Sequence, residues 1–166
     1  QSQNGRREDG KNLLDNTQNM GYEVVQDRSE LMSKAYTSQK LLGVFTNSHM
    51  SYELNRSKQK EPSIAEMTEV ALNKLNNDQE GFFLMVEGGR IDHAAHGNDV
   101  AGVVGDLLAF DRAVKQAMEF IENHPDTLLI VTADHETGGL GLSNGEYKIK
   151  PEVIQNISKT ASYIGS

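Results

Sequence analysis

Short apolar runs alternate with segments of helical periodicity along most of this chain. Four runs rich in apolar and β-branched residues lie at 22–25, 41–45, 82–86 and 127–132. The longer runs are apolar on successive residues rather than on alternate ones, so both faces of each predicted strand would be covered. Helical segments separate them. The pattern therefore predicts an α/β fold with a doubly wound, mostly parallel sheet flanked by helices.

Start and stop signals bound the predicted helices. Asp9 is a predicted cap for a helix over about 10–20 that Gly21 ends. Ser63 and Glu66 have the spacing of a capping box, directly after Pro62. Two further helices are predicted over about 29–35 and 99–122, and a polar surface loop over 48–60.

The pattern weakens after the glycines at 138–139. Asn144-Gly145 predicts a hairpin turn, and Pro151 opens a last amphipathic helix that contains Val153, Ile154 and Ile157. We therefore divide the chain into residues 1–140, a partial α/β domain, and residues 141–166. The second part is interpreted as the start of an inserted or peripheral segment.

Composition excludes several classes of function. The formal charge of −8 argues against a general affinity for nucleic acid, because phosphates require a basic surface. No apolar run is long enough to cross a bilayer. The chain contains no cysteine, so disulfides and thiolate ligation of zinc are both excluded.

Three groups of potential metal ligands lie at or just beyond the ends of two predicted strands. Glu87 ends the run at 82–86, and Asp92 and His96 follow at a spacing of four residues. Asp134 and His135 follow the run at 127–132. A helical turn would place Asp92 and His96 on one face, and parallel strands deliver ligands at their carboxyl ends. Imidazole and carboxylate suit zinc, and carboxylate suits magnesium.

Each group alone has an ordinary structural interpretation, as a solvated carboxylate, a helix-surface pair or a turn. Their coincidence at one predicted sheet edge favours a binuclear metal site. The remaining histidines do not add to it. His49 lies in the polar loop and is expected to be exposed, and His124 lies at a helix C-terminus, which suits its partial positive charge.

The sequence VEGGRIDHAAH at 86–96, followed by a helix and then TADHETGG at 132–139, resembles the alkaline phosphatase family. The segments GRREDGKNL at 5–13 and PSIAEMT at 62–68 extend that resemblance over most of the chain. The family hydrolyses phosphate monoesters through a phosphoserine intermediate, with two zinc ions and one magnesium ion.

The resemblance implies a role for each candidate residue. Glu87 matches the magnesium ligand, Asp92 and His96 match ligands of the first zinc, and Asp134 and His135 match ligands of the second. His93 falls close to magnesium and phosphate, so it is expected to lie on the substrate side rather than to bind metal. The resemblance also implies an extracytoplasmic location and a homodimer of the full-length protein.

Several parts of the family's site have no counterpart here. The serine nucleophile, a metal-binding aspartate and a phosphate-clamping arginine lie upstream in the family, and no histidine follows His135 to complete the first zinc. Neither Ser48 nor Ser143 has an activating motif, and nothing supports Arg6 or Arg7 as the clamp. The sequence begins without Met and has no targeting segment. We expect it to be the central-to-late part of a longer catalytic domain, inactive alone.

Two alternatives remain open. One is a related superfamily hydrolase, such as a sulfatase, a phosphodiesterase or a cofactor-independent phosphoglycerate mutase, which share the fold and an Asp-His metal pair. The other is a non-catalytic metal-binding or interaction domain, which the missing nucleophile would allow.

Overall fold

The computed structural model describes residues 8–139, 141 and 150–165. These residues form a partial α/β domain with a parallel two-stranded sheet. The elements in chain order are α1 (Leu13–Asn19), β1 (Tyr22–Val25), α2 (Arg28–Lys34), β2 (Lys40–Gly43), α3 (Ile64–Leu75), α4 (Gly89–His96), α5 (Val100–Asn123), α6 (Pro151–Gln155) and α7 (Ala161–Ile164). Over the same described ranges, no helix is long and apolar enough to cross a membrane.

The sheet and its crossover helix follow the predicted pattern. β1 pairs with β2 in parallel register, with Tyr22 opposite Lys40 and Val25 opposite Gly43. A parallel pair requires a crossover between its strands, and α2 provides it. Buried apolar side chains from the sheet, α2 and α3 form the main core cluster, which comprises Val25, Leu31, Ala35 and Val70.

The start of α3 is fixed by the predicted capping box. The Ser63 hydroxyl accepts from the Glu66 N–H, and the Glu66 carboxylate accepts from the Ser63 N–H at 2.8 Å. The same carboxylate accepts a hydrogen bond from Arg28 Nε at 2.8 Å, which ties the start of α2 to the start of α3. Two helix N-termini are therefore held together beside the core.

Helix α5 is the longest element and packs against both α3 and α4. Asp99 caps it by accepting from the Gly102 N–H at 2.9 Å. Its buried face is made of small residues, Ala101, Gly102, Ala109 and Ala113. A Cβ on Gly102 would lie 3.0 Å from the Cβ of Ala94, so the small side chains allow α4 and α5 to approach closely.

Two of the four predicted strands are not strands in this structure. Residues 82–86 and 127–132 belong to no ladder among the described residues. The apolar side chains at 128–131 are exposed, whereas the run at 82–86 alternates between half-buried and exposed residues. Phe83 is 90% exposed and Leu128 is 82% exposed. An apolar run becomes a strand only where a neighbouring strand satisfies its backbone, and no described strand lies beside either run.

Smaller differences concern the ends of elements. Helix α1 is capped by Asn12, which accepts from the Leu14 N–H, and not by Asp9. Gly21 adopts φ of +84° just after α1, as a helix stop requires. Pro151 does open a helix, but α6 ends before Ile157. The predicted turn at 144–145 lies outside the described residues.

Candidate metal centre

Helix α4 places Asp92 and His96 on one face, as their spacing predicted. Asp92 Oδ2 lies 3.6 Å from His96 Nε2. Helix α4 begins after Gly88, which has no side chain to cap it, and ends at His96, just before Gly97. Both side chains reach solvent, with Asp92 39% and His96 70% exposed. An imidazole nitrogen and a carboxylate oxygen therefore point to the same accessible position.

A second imidazole–carboxylate pair lies in the loop after residues 127–132. Asp134 Oδ2 is 3.3 Å from His135 Nε2, and both side chains are exposed. His135 Nδ1 donates to the Glu136 carbonyl oxygen at 2.9 Å. That hydrogen bond, and then the nearby Asp134 carboxylate, raise the pKa of His135. With Nδ1 acting as the donor, neutral His135 carries its free lone pair on Nε2.

Thr137 joins the two motifs. Its hydroxyl donates to Asp92 Oδ1 at 2.7 Å, across a separation of 45 residues. This bond is the main cause that lowers the pKa of Asp92, and the proximity of His96 and His135 lowers it further. The two imidazole–carboxylate pairs are therefore neighbours in space.

The close approach of the loop to α4 depends on Gly138. It adopts φ of +74°, and a Cβ built on it would lie within 3 Å of both the carbonyl carbon and oxygen of Ala95. A side chain at this position would have to displace backbone, so glycine is required for the loop to dock against the end of α4.

Glu87 lies apart from these contacts. Its exposed side chain turns back over Gly89, where a Cβ would meet Glu87 Oε1 at 3.0 Å. Within the described ranges, no three histidine, aspartate or glutamate side chains converge on a position that could hold a metal ion. The structure thus provides two adjacent imidazole–carboxylate pairs and a separate carboxylate.

His93 lies in a cluster that the sequence did not predict. Its ring centroid is 4.4 Å from that of His49, in an edge-to-face arrangement, and His49 is exposed, as predicted. Arg90 Nη1 lies 2.9 Å from His93 Nδ1. The guanidinium carbon of Arg90 lies 3.6 Å from the ring centroid of Tyr52. The i, i+3 spacing of Arg90 and His93 on α4 was the one sequence feature that could have indicated this cluster. His49 and Tyr52, the other two members, come from the 48–60 loop.

The last described segment packs against the same loop. Thr160 is fully buried, and its hydroxyl accepts from Asn55 Nδ2 at 2.6 Å. Ala161 N–H donates to the capping residue Asp99 at 2.6 Å. Ser162 and Tyr163 then line a small open cleft with Arg90 and Tyr52. The sequence carried no signal for this contact, because it joins residues more than a hundred positions apart.

Comparison with known proteins matches this chain to alkaline phosphatases in both sequence and structure. The family model for alkaline phosphatase matches residues 1–166. The repressible alkaline phosphatase of Saccharomyces cerevisiae is 38% identical over 178 residues, which cover 96% of this chain and 31% of that protein. The crystal structure of Thermus thermophilus alkaline phosphatase is 42% identical, with a TM-score of 0.75 over 80% of this chain and 28% of that chain.

A third match bears on metal binding. A mutant alkaline phosphatase from TAB5, whose structure has Mg bound in its M3 site, is 26% identical, with a TM-score of 0.68. The match covers 88% of this chain and 41% of that one. The chain spans about a third of the length of the first curated relatives it matches.

Proposed function

The chain belongs to the alkaline phosphatase family, and from this premise we propose that it carries metal-ligand pairs of a phosphomonoesterase. Membership in the family supports hydrolysis of phosphate monoesters by the whole protein, and metal cofactors with it. The proposal for the chain itself is narrower. It concerns which of its residues bind metal, and what the chain can do alone.

The bond between Thr137 and Asp92 is the observation that carries this proposal. It brings the loop of Asp134 and His135 against the helix of Asp92 and His96. Two imidazole–carboxylate pairs side by side are the donor set expected for two zinc ions. A surface pair formed by chance would not require a close backbone approach such as that of Gly138 to Ala95.

We assign Asp92 and His96 to one zinc ion, Asp134 and His135 to the second, and Glu87 to magnesium. The chemistry of the donors fits, because zinc accepts imidazole and carboxylate and magnesium prefers carboxylate oxygen. His135 also has the arrangement of a metal ligand, with Nδ1 bonded to the Glu136 carbonyl oxygen and Nε2 left to coordinate. Bound zinc and magnesium would supply Lewis acidity and positive charge for a phosphate.

We propose further that this chain has no phosphatase activity by itself. The family's serine nucleophile has no counterpart in the sequence, and covalent catalysis requires one. Among the hydrogen bonds of the described residues, none joins a serine to Asp92, His96, Asp134 or His135. Extracytoplasmic location and dimerisation of the whole protein are proposals that rest on the family alone.

Zinc titration of the chain by calorimetry tests the assignment. We expect saturable binding that His135→Ala weakens by at least tenfold, because a ligand is lost. His124→Ala is the matched control, since His124 stacks on Phe120 at the end of α5 and is not a proposed ligand. Equal weakening by both substitutions, or no binding by the wild type, would refute the proposed ligand set. Metal-dependent turnover of p-nitrophenyl phosphate by the chain would refute its inactivity.

A further inference from the structure

Arg90 connects the proposed metal centre to the 48–60 loop through two contacts. Its guanidinium lies over the ring of Tyr52, at 3.6 Å from the ring centroid, and its Nη1 lies 2.9 Å from His93 Nδ1. Arginine stacks on aromatic rings in this way because its charge is delocalised and weakly hydrated. Tyr52 therefore holds the guanidinium in position beside the imidazole.

The contact between Arg90 and His93 determines where the imidazole proton lies. A guanidinium has only N–H donors and stays charged at every ordinary pH. His93 Nδ1 must therefore accept the hydrogen bond, so it cannot carry a proton. Neutral His93 then carries its single proton on Nε2, which is the only N–H donor left to the ring.

The surroundings of His93 agree with a neutral ring. Arg90 Nη1 lies 2.9 Å from His93 Nδ1, close enough that Nδ1 must present a lone pair and not a proton. An imidazolium would place a second positive charge directly against the guanidinium of Arg90.

We propose that Arg90 is a positioning residue that fixes His93 as the Nε2–H tautomer, with Tyr52 as its support. Through this arrangement His93 offers an oriented N–H donor to a phosphate oxygen of the substrate. The link to phosphate rests on the proposed function, whereas the tautomer follows from the contacts alone. Arg90 acts through His93 and is not proposed to touch the substrate.

Nitrogen NMR of the ¹⁵N-labelled, metal-free chain tests the tautomer directly. At pH 8, above the ordinary histidine pKa of about 6.5, we expect the His93 signals of a fixed Nε2–H form, with Nδ1 unprotonated. A His93→Gln spectrum assigns them. In Arg90→Met the acceptor role of Nδ1 is lost, so the two ring-nitrogen shifts should move toward each other as both tautomers exchange. Tyr52→Phe keeps the ring under the guanidinium and should preserve the wild-type pattern.

Several outcomes would overturn this role for Arg90. A wild-type His93 with protonated Nδ1, or with averaged nitrogen shifts, contradicts it without any variant. Unchanged shifts in a folded Arg90→Met also contradict it. If circular dichroism shows that Arg90→Met does not fold, Tyr52→Leu serves instead, because it removes the supporting ring and leaves Arg90; partial averaging is then expected.

A phosphate titration separates this role from the proposed function. Inorganic phosphate is added to the zinc-loaded chain, and binding is followed by calorimetry. Binding that Arg90→Met weakens, with zinc affinity unchanged, supports both the tautomer and its link to substrate. A fixed tautomer in a wild-type chain that binds neither zinc nor phosphate supports the positioning role and refutes the proposed function.

Discussion

Thr137 donates its hydroxyl hydrogen bond to Asp92 Oδ1 at 2.7 Å, and this contact holds the loop after residue 133 against helix α4. One oxygen of Asp92 is thereby oriented by Thr137, while the other lies 3.6 Å from His96. A carboxylate fixed in this way loses less conformational freedom when it binds a metal ion. The position of Asp134 and His135 relative to α4 also depends on the same bond.

Thr137→Val should therefore weaken zinc binding by about tenfold, because it removes the hydroxyl and preserves the shape of the side chain. Calorimetric titration with zinc measures the change. Thr17→Val is the matched control, since that hydroxyl bonds only to the Leu13 carbonyl oxygen within α1. A similar loss of affinity in both variants would mean that the Thr137 bond does not organise the site.

The sequence predicted the parts of this fold that depend on neighbours along the chain. The capping box of Ser63 and Glu66, the turn that pairs Asp92 with His96, and strand β1 all form where expected. Each depends on residues within a few positions of one another, so local periodicity and capping chemistry are sufficient to identify it.

The sequence could not predict the contacts between distant segments. The bond of Thr137 to Asp92 joins residues 45 positions apart, and the support of Arg90 by Tyr52 requires the 48–60 loop to fold over α4. Residues 82–86 and 127–132 were predicted to be strands from local pattern alone. Their apolar character predicted strands, and that prediction was wrong for this structure, because pairing depends on a partner strand that the local pattern does not contain.

Glu66 gives a prediction about pH. Burial alone would raise the pKa of this carboxyl, but the hydrogen bonds from Arg28 and Ser63 outweigh burial and hold the pKa below its ordinary value of 4.5. Its ionised form thus stabilises the fold above that ordinary value, and the stabilisation is lost as pH falls through the lower pKa of the folded state.

Glu66→Gln should keep the capping box, since glutamine also serves there, and should remove the charge that pairs with Arg28. We expect a cost of about 1 kcal/mol in the free energy of unfolding at pH 7, allowing for partial solvent screening. The cost should shrink toward pH 3. Urea unfolding at several pH values measures it, with Glu69→Gln on the exposed side of α3 as control. A cost independent of pH would contradict the ionic role.

The contribution of Asp106, on α5, to the stability of the fold should depend on pH in the opposite direction to that of Glu66. Burial raises its pKa to about 6, although the Glu53 N–H donates to both of its oxygens at 3.2 Å. The folded state therefore binds this proton more tightly than the unfolded state. The contribution of Asp106 to stability falls as pH rises from its ordinary pKa of 3.8 through about 6.

Asp106→Asn removes the ionisable group and keeps one oxygen to accept from Glu53. Relative to the wild type, the variant should gain about 1 kcal/mol in the free energy of unfolding between pH 4 and pH 7, after allowance for solvent screening. Asp111→Asn, on the exposed surface of the same helix, should show no such gain. A constant difference between wild type and Asp106→Asn across this range would mean that Asp106 does not titrate there.

The two unpaired apolar runs predict how the chain behaves in solution. Phe83 and Met85 in one run, and Leu128 and Ile130 in the other, expose most of their side chains. The backbone of these runs makes no ladder with a described strand, so both apolar area and hydrogen-bonding groups are available to another molecule. We expect the isolated chain to self-associate as its concentration rises, and sedimentation velocity measures this.

Phe83→Ser with Ile130→Ser should shift that association to higher concentration, because both substitutions remove exposed apolar area from the unpaired runs. Met20→Ser is the matched control, since Met20 is equally apolar and well exposed but follows α1, away from either run. If scattered apolar residues caused the self-association, Met20→Ser would reduce it as much per residue as Phe83→Ser with Ile130→Ser. Reduction confined to the paired substitutions would show that the unpaired runs mediate it. A chain that remains monomeric at every concentration would show that exposure of these runs has no such consequence.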